Sequence, residues 1–334
     1  MEDRFGHHIN YLRVSITDRC NERCHYCMPH EQQDWLPRSE VLSYEEILRV
    51  IRVGATLGIS KLRITGGEPL TRRNVLWFFD QLRDIAGIDD IGISTNGTLL
   101  ARRDGNGLTT AQALKNAGVR TVNISLDTLD AKTYATTTGR DLFADVIAGI
   151  DAAREAGFEK IKINTVLMRH RNEHELWDLI EFARGRDLLL RFIELMPVST
   201  TEVLTEDNFL ASGEAKKIIE FRLGSLTARP DIRTNGPSSY FAIPGTGQII
   251  GFIGAMTNLH FCETCNKLRL TCEGKLRPCL GSHLEFDMRE VLRNDAMTDE
   301  DVARFFMHVV ERKPEMHEFR ENYVPGRRMI AIGG

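Results

Sequence analysis

Leu12-Arg13-Val14-Ser15-Ile16-Thr17-Asp18-Arg19-Cys20-Asn21-Glu22-Arg23-Cys24-His25-Tyr26-Cys27 joins a β-rich run to three closely spaced cysteines. Val14 and Ile16 alternate with Arg13, Ser15 and Thr17, the two-residue period of a strand. Five more such runs follow: Lys61 to Thr65, Ile91 to Thr95, Thr121 to Asp127, Lys160 to Leu167 and Leu190 to Met196. Amphipathic stretches lie between them, near Tyr44 to Leu57, Val75 to Ile85, Ala111 to Ala117, Phe143 to Ala156 and Glu173 to Arg184. Gly58, Gly87, Gly118, Gly157 and Gly185 follow those stretches as C-terminal helix caps do. Strand and helix in regular alternation predict successive βαβ units on a parallel sheet, so the expected class is α/β, a partial (βα)6 TIM-like barrel.

After about Val198 the rhythm is lost. A helix is expected over Thr205 to Phe221, strand-like pieces at Tyr240 to Ile243 and Gln248 to Ile253, and a last helix at Asp299 to Arg312. The expected division is residues 1–200 for the barrel and 201–334 for a smaller C-terminal α+β region.

The two faces of the six runs differ. Val14, Ile16, Leu62, Ile64, Ile93, Val122, Ile124, Ile161 and Ile163 form an apolar set suited to packing under helices. Arg13, Ser15, Thr17, Arg63, Thr65, Ser94, Asn123, Ser125, Asp127, Lys162, Asn164 and Arg191 form a polar set on the other side, which is expected to line a wet lumen. Cations sharing a cavity repel one another, and an unpaired buried charge is costly, so a partner of several negative charges is implied. Pairing with Asp127 or Glu194 is the alternative.

The remaining composition limits the function. The 334 residues are ample for a sizeable core, and 43 basic against 47 acidic side chains leave a net charge of −4. That balance gives no global field for gripping nucleic acid. Apolar runs such as Ile249 to Met256 fall short of the roughly 18 residues of a membrane span, and no secretory signal is visible at the start, so a cytoplasmic protein is expected. Seven cysteines make an odd number for a disulfide framework. Cys20, Cys24 and Cys27 form one group, and Cys262, Cys265, Cys272 and Cys279 a second more than two hundred residues away. Both have chelate spacing, and in a reducing compartment such thiols favour metal over disulfides. Three thiolates suit a [4Fe-4S] cluster with one iron free of protein; structural zinc completed by His25 or His30 is the alternative.

Cys20-x3-Cys24-x2-Cys27 with Tyr26 before the last cysteine resembles the hallmark of the radical S-adenosylmethionine superfamily. Gly66-Gly67-Glu68-Pro69 after the second run resembles the superfamily's turn for the methionine amino group. The second group, with Asp18-Arg19-Cys20-Asn21, Arg191-Phe192-Ile193-Glu194 and the terminal Gly333-Gly334, is similar over nearly the whole chain to the GTP 3′,8-cyclase family of molybdenum cofactor biosynthesis. That resemblance implies a lyase that takes hydrogen from ribose C3′ of GTP, joins that carbon to guanine C8 and then reduces the ring radical. It implies two [4Fe-4S] clusters, one on Cys20, Cys24 and Cys27 and one on Cys262, Cys265 and Cys279, with S-adenosylmethionine against Tyr26, Gly67, Ser125 and Met196. GTP is implied against Arg13, Arg63, Ser94, Lys162, Lys267 and Arg269, with Lys61 a further candidate, and Arg13, Arg63, Arg191 and the Gly333-Gly334 tail are implied as catalytic residues. Implied partners are a flavodoxin-like or similar electron donor and a downstream cyclic pyranopterin monophosphate synthase; a homodimer is left open.

Two positions depart from the family pattern. Lys267 stands where arginine is usual, replacing a bidentate phosphate clamp by a point charge. Cys272 is an extra thiol whose spacing is compatible with ligation, although a small buried cysteine is more often inert. The competing readings are a peptide-modifying enzyme of the same superfamily and a non-catalytic scaffold with two zinc sites.

Overall fold

The computed structural model describes residues 1–28, 35–199, 204–232, 234, 236–319 and 323–333. The chain runs β1 (Tyr11–Ser15), α1 (Tyr44–Thr56), β2 (Lys61–Thr65), α2 (Val75–Arg83), β3 (Asp90–Thr95), α3 (Thr110–Asn116), β4 (Thr121–Ser125), α4 (Ala131–Thr138), α5 (Phe143–Ala156), β5 (Lys160–Leu167), α6 (Leu176–Arg184) and β6 (Leu189–Glu194). It continues through α7 (Ser212–Leu223), β7 (Thr227–Ala228), β8 (Ser239–Ala242), β9 (Ile249–Ile253), β10 (Lys267–Leu270), β11 (Lys275–Arg277), β12 (Phe286–Asp287), α8 (Met288–Leu292), α9 (Asp299–Glu311) and α10 (Met329–Ile332). β1 to β6 pair in chain order and in parallel, which is the expected six-unit partial barrel.

The C-terminal region completes this sheet instead of standing beside it. β10 pairs in parallel with β1 and β9 in parallel with β6, so each edge of the barrel gains a strand from beyond residue 200. Antiparallel β11 and β12 continue one edge and β8 and β7 the other, in the order β12-β11-β10-β1-β2-β3-β4-β5-β6-β9-β8-β7. No turn chemistry announces these pairings, because they close over long sequence separations.

Local signals account for the helices. Ser43 and Glu46 form a capping box at the start of α1, and Thr109 and Gln112 form another at α3. Gly58, Gly87, Gly118 and Gly157 take positive φ behind their helices, as expected. Gly185 does not: it stays helical at φ −61°, and Asp187 takes the left-handed position at φ 54°. α4 was not expected, since its Ala-Lys-Thr-Tyr-Ala-Thr-Thr-Thr sequence carries no broad apolar stripe; Asp130 starts it by accepting from Thr133 N. The helix expected from Thr205 begins only at Ser212, the preceding residues forming a turn in which Asn208 accepts from Thr205 N.

The apolar strand face lies under the helices. Val14, Ile64, Ile93, Val122, Ile124 and Ile163 are fully buried, each contributing on the order of 1.5–3 kcal/mol through its burial. Among the described residues no helix is long and apolar enough to cross a membrane. The opposite face carries the charge. Register sets Arg13 beside Arg63 on one side and Arg269 on the other, three guanidinium groups on adjacent strands roughly 4.8 Å apart.

Candidate functional site

The polar face encloses a cavity of about 350 Å³. Cys20, Cys24 and Cys27 line it, and so do Cys262, Cys265 and Cys279. Two motifs separated by most of the chain thus open into one space. The first group leaves the C-terminal end of β1, whereas Cys262 and Cys265 lead into the N-terminal end of parallel β10 and Cys279 leaves antiparallel β11 at that same end, so the two groups face the cavity from opposite strand ends.

The first group sits in the loop leaving β1. Cys27 N and Met28 N both donate to Cys24 O at 2.9 Å, turning the chain so that Cys24 and Cys27 face the same way. Glu22 N points at Cys20 Sγ (3.4 Å), and the backbone N–H of Ile330 reaches the Cys27 thiol. Burial holds the thiols neutral in the absence of a ligand: Cys24 lies well above the usual thiol range, and Cys27 is pushed up to about 12. A bound metal must displace those protons.

The Gly66-Gly67 turn lies flat against that loop. A Cβ on Gly67 would come within 2.4 Å of Arg19 O, and one on Gly66 within 2.6 Å of Thr17 O. Only glycine permits the approach that lets Gly67 N donate to Thr17 O and Glu68 N to Arg19 O, both at 2.8 Å. The fully buried Glu68 carboxylate accepts from Thr95 Oγ1 (2.9 Å) and Asn96 N (2.7 Å), fixing the loops after β2 and β3 to each other. Tyr26, Gly67, Ser125 and Met196 all line the cavity around this first group. Tyr26 donates to Asp127 Oδ2 at 2.7 Å, so the cysteine loop is anchored beyond the end of β4.

Opposite lies a floor of cations. Arg13, Arg63, Lys162, Arg191, Lys267 and Arg269 line the same cavity, with Ser94 beside them. Arg63 is almost wholly enclosed: Nε donates to Tyr11 Oη (3.1 Å), Nη1 to the carbonyls of Ile93 (3.0 Å) and Thr121 (3.2 Å), and Nη2 to Thr121 Oγ1 (2.9 Å). Gly92 makes this possible, since a Cβ there would meet Arg63 Nη1 at 2.3 Å. Arg191 is braced by Asn164 Oδ1 at 3.0 and 2.6 Å. Burial, and then repulsion from Arg191 and Arg63, depresses Lys162 to about 7; burial and Arg13 bring Arg269 down to about 9. These are the properties of a floor prepared for a polyanion.

The second group adjoins that floor. At Cys265 burial acts to raise the pKa, but the charges of Lys313 and Lys267 outweigh it and leave the thiol below its ordinary value. Residues after about 328 add to the cavity wall. Met329 and Ile330 line it, and Gly333, at φ 79°, accepts a hydrogen bond from Arg269 Nη1 at 2.8 Å while packed against Ser15 and Thr65. Gly334 lies outside the described residues.

Other sequence candidates lie elsewhere. Lys61 does not line the cavity. Cys272 is fully buried outside it, its thiol 3.7 Å from Glu273 Oε2. His25 is turned to Thr137 O (3.2 Å) and does not line the cavity, and His30 lies outside the described residues. Among the described residues no three His, Cys, Asp or Glu side chains lie close enough to share one metal ion. Sequence reasoning missed Tyr11, whose phenol burial raises but Arg63, Arg13 and Lys267 lower, to about 8 overall. Its inward parity with Arg13 was the available signal.

Comparison with known proteins agrees with this arrangement. Residues 14–183 match the radical SAM superfamily and residues 188–319 match Molybdenum Cofactor Synthesis C. The GTP 3′,8-cyclase of Petrotoga mobilis is 44% identical, with 100% of each chain covered, and that of Thermodesulfovibrio yellowstonii is 42% identical, also over 100% of each. Among solved structures, Streptococcus suis SuiB bound to the precursor peptide SuiA superposes with a TM-score of 0.60 at 17% identity, over 87% of this chain and 66% of that one; this likeness is one of fold. Matched over its whole length by cyclases and over residues 14–183 by the superfamily, the chain belongs to the GTP 3′,8-cyclase family of the radical S-adenosylmethionine enzymes.

Proposed function

We propose that this chain converts GTP to (8S)-3′,8-cyclo-7,8-dihydroguanosine 5′-triphosphate, as a lyase acting in molybdenum cofactor biosynthesis. The observation that carries the reading is the single cavity lined at once by both cysteine groups and by six cations. Cys20, Cys24 and Cys27 would hold a [4Fe-4S] cluster, and Tyr26, Gly67, Ser125 and Met196 would contact S-adenosylmethionine beside it. When bound and reduced by an external electron donor, a cluster there would supply one electron to the sulfonium, releasing methionine and giving a carbon radical able to take hydrogen from ribose C3′ of GTP. Cys262, Cys265 and Cys279 would hold a second cluster, which leaves an iron open to the guanine base.

The chain's own residues do the positioning. Arg13, Arg63, Lys162, Lys267 and Arg269 would take the triphosphate, with Ser94 and Arg191 completing the wall. Lys267 offers one ammonium where a guanidinium would offer a fork, but Arg13 and Arg269 beside it retain two forks. The Gly333 carbonyl holds Arg269 in place, and the apolar Met329 and Ile330 would help keep water from the bound nucleotide. Holding the nucleotide at both ends fixes which ribose C–H faces the radical source. The extension of the sheet by β9 and β10 makes residues beyond about 200 part of the same chamber, a division of labour within one sheet. An electron donor of flavodoxin type and a downstream cyclic pyranopterin monophosphate synthase would act before and after it. Completion of a zinc site on the first group by His25 is disfavoured by the turn of its ring to Thr137 O.

The test is anaerobic incubation of reduced, cluster-loaded protein with GTP and S-adenosylmethionine. Equal amounts of 5′-deoxyadenosine and cyclised nucleotide are expected; 5′-deoxyadenosine without nucleotide product would assign another substrate. A pH dependence accompanies binding. Free Lys162 titrates near 7, below its ordinary 10.5, so it is mostly neutral at pH 8; phosphates favour its charged form, and binding takes up a proton. In the free protein the depressed value destabilises the fold fully at and below pH 7, a penalty that disappears as pH rises toward 10.5. GTP affinity should therefore fall above pH 7, by at most about tenfold per unit. Calorimetry at pH 8 in buffers of different ionisation enthalpy should show the uptake in the parent and a smaller one in Lys162→Gln, where Tyr11 remains to titrate; an uptake undiminished in Lys162→Gln, or buffer-independent heats in the parent, would contradict it.

A further inference from the structure

Lys313 follows α9, where an ordinary lysine would extend into solvent beside the helix C-terminus. It does the reverse. Only 2% of the residue is exposed, and its ammonium is directed inward under the second cysteine group. Nζ lies 2.6 Å from Pro278 O, 3.2 Å from Lys267 O and 3.5 Å from Cys265 Sγ. Three N–H donors therefore meet three acceptors, none of them a carboxylate. The acceptors belong to two segments that approach the cavity separately: the Cys265–Lys267 turn entering β10, and Pro278, directly before Cys279 and just past β11.

We propose that Lys313 is a positioning residue of the second cysteine group, clasping the Cys265 thiol to the backbone beside Cys279 and placing a fixed positive charge against the anionic assembly those thiolates would form. This rests on the reading that the second group holds a cluster. Lys313 does not line the cavity and so has no direct contact with substrate to offer. Its effect is on retention and redox poise: each electron added to a thiolate-bound cluster increases its negative charge, and an adjacent cation makes that addition easier. Removing the charge also takes the buried Nζ donor from the Pro278 carbonyl and leaves the Cys265 sulfur with the Lys267 backbone N–H but without its cationic donor.

The experiment uses the full chain with Cys20, Cys24 and Cys27 all changed to alanine, so that only the second group loads iron, compared with the same chain carrying Lys313→Met. Iron retention under a chelator and the reduction potential read by electron paramagnetic resonance are the measurements. Iron loss at least tenfold faster and a more negative potential are expected in Lys313→Met, with Lys313→Arg nearer the parent in both. Parental retention and potential in Lys313→Met would overturn the proposal. If Lys313→Met fails to fold by circular dichroism, Lys313→Gln, which keeps hydrogen-bond donors without charge, is read for the same potential shift, and its absence overturns the proposal equally. A parent that binds no iron at the second group would sink the underlying reading instead, and is recognised before any Lys313 variant is measured.

Discussion

Replacing Cys279 with alanine is expected to lower iron from about eight to about four atoms per chain and to reduce cyclised nucleotide more than a thousandfold. The thiol lines the cavity together with Lys267 and Arg269, so its loss would remove one of the three ligands proposed for the second cluster. Binding of S-adenosylmethionine should persist, because Tyr26, Gly67, Ser125 and Met196 are untouched. Cys272→Ala is the control: it lies seven positions earlier but is fully buried outside the cavity, so iron content and activity should stay at parental levels with a stability loss of about 1–2 kcal/mol. Iron analysis and product chromatography on the two variants read both outcomes. Loss of iron in Cys272→Ala with retention in Cys279→Ala would reverse the assignment of the second group.

The second large effect is expected at the tail. Gly333→Val should lower the turnover of cyclisation by about a hundredfold or more while changing melting temperature by only a few degrees. Gly333 combines a left-handed backbone with close packing: an added Cβ would stand 2.9 Å from Ser15 Cβ and 3.0 Å from Thr65 Cγ2. Valine must therefore expel the tail, taking with it the carbonyl that holds Arg269 and opening the wall formed by Met329 and Ile330. Little of the core depends on this terminal turn, so the fold should survive. Gly107→Val separates strain from fit, since Gly107 has a similar φ of 83° with nothing within 4 Å of the added Cβ; its activity should be parental. Steady-state kinetics on both variants make the comparison, and parental turnover in Gly333→Val would remove the tail from the catalytic account.

The barrel strands were legible because apolar and polar residues alternate through most of them: β2 and β5 occupy the spans their sequence period predicts, and β1, β3, β4 and β6 differ only at their ends. The basic lumen was legible for the same reason, since the register that buries Ile64 turns Arg63 inward. What escaped the sequence depends on contacts between distant segments. β9 and β10 find their places only by pairing with β6 and β1, and nothing in Ile249–Ile253 or Lys267–Leu270 names a partner. Nothing local to Gly92 marks its role, which is to leave room for the Arg63 guanidinium lying across it. Lys313, beside a helix end and a proline, had every local mark of a solvent-exposed cation. Cys272 shows the converse: its spacing allowed ligation, but the turn from Thr271 to Gly274 buries its thiol away from the shared chamber.

The whole account depends on GTP lying in that chamber with its ribose C3′ toward the first cysteine group. The most direct measurement is turnover with GTP carrying deuterium at C3′, followed by mass analysis of the nucleoside product. Deuterium in 5′-deoxyadenosine, one atom per cyclised nucleotide, is the predicted result; 5′-deoxyadenosine that remains unlabelled while cyclised nucleotide accumulates would contradict it.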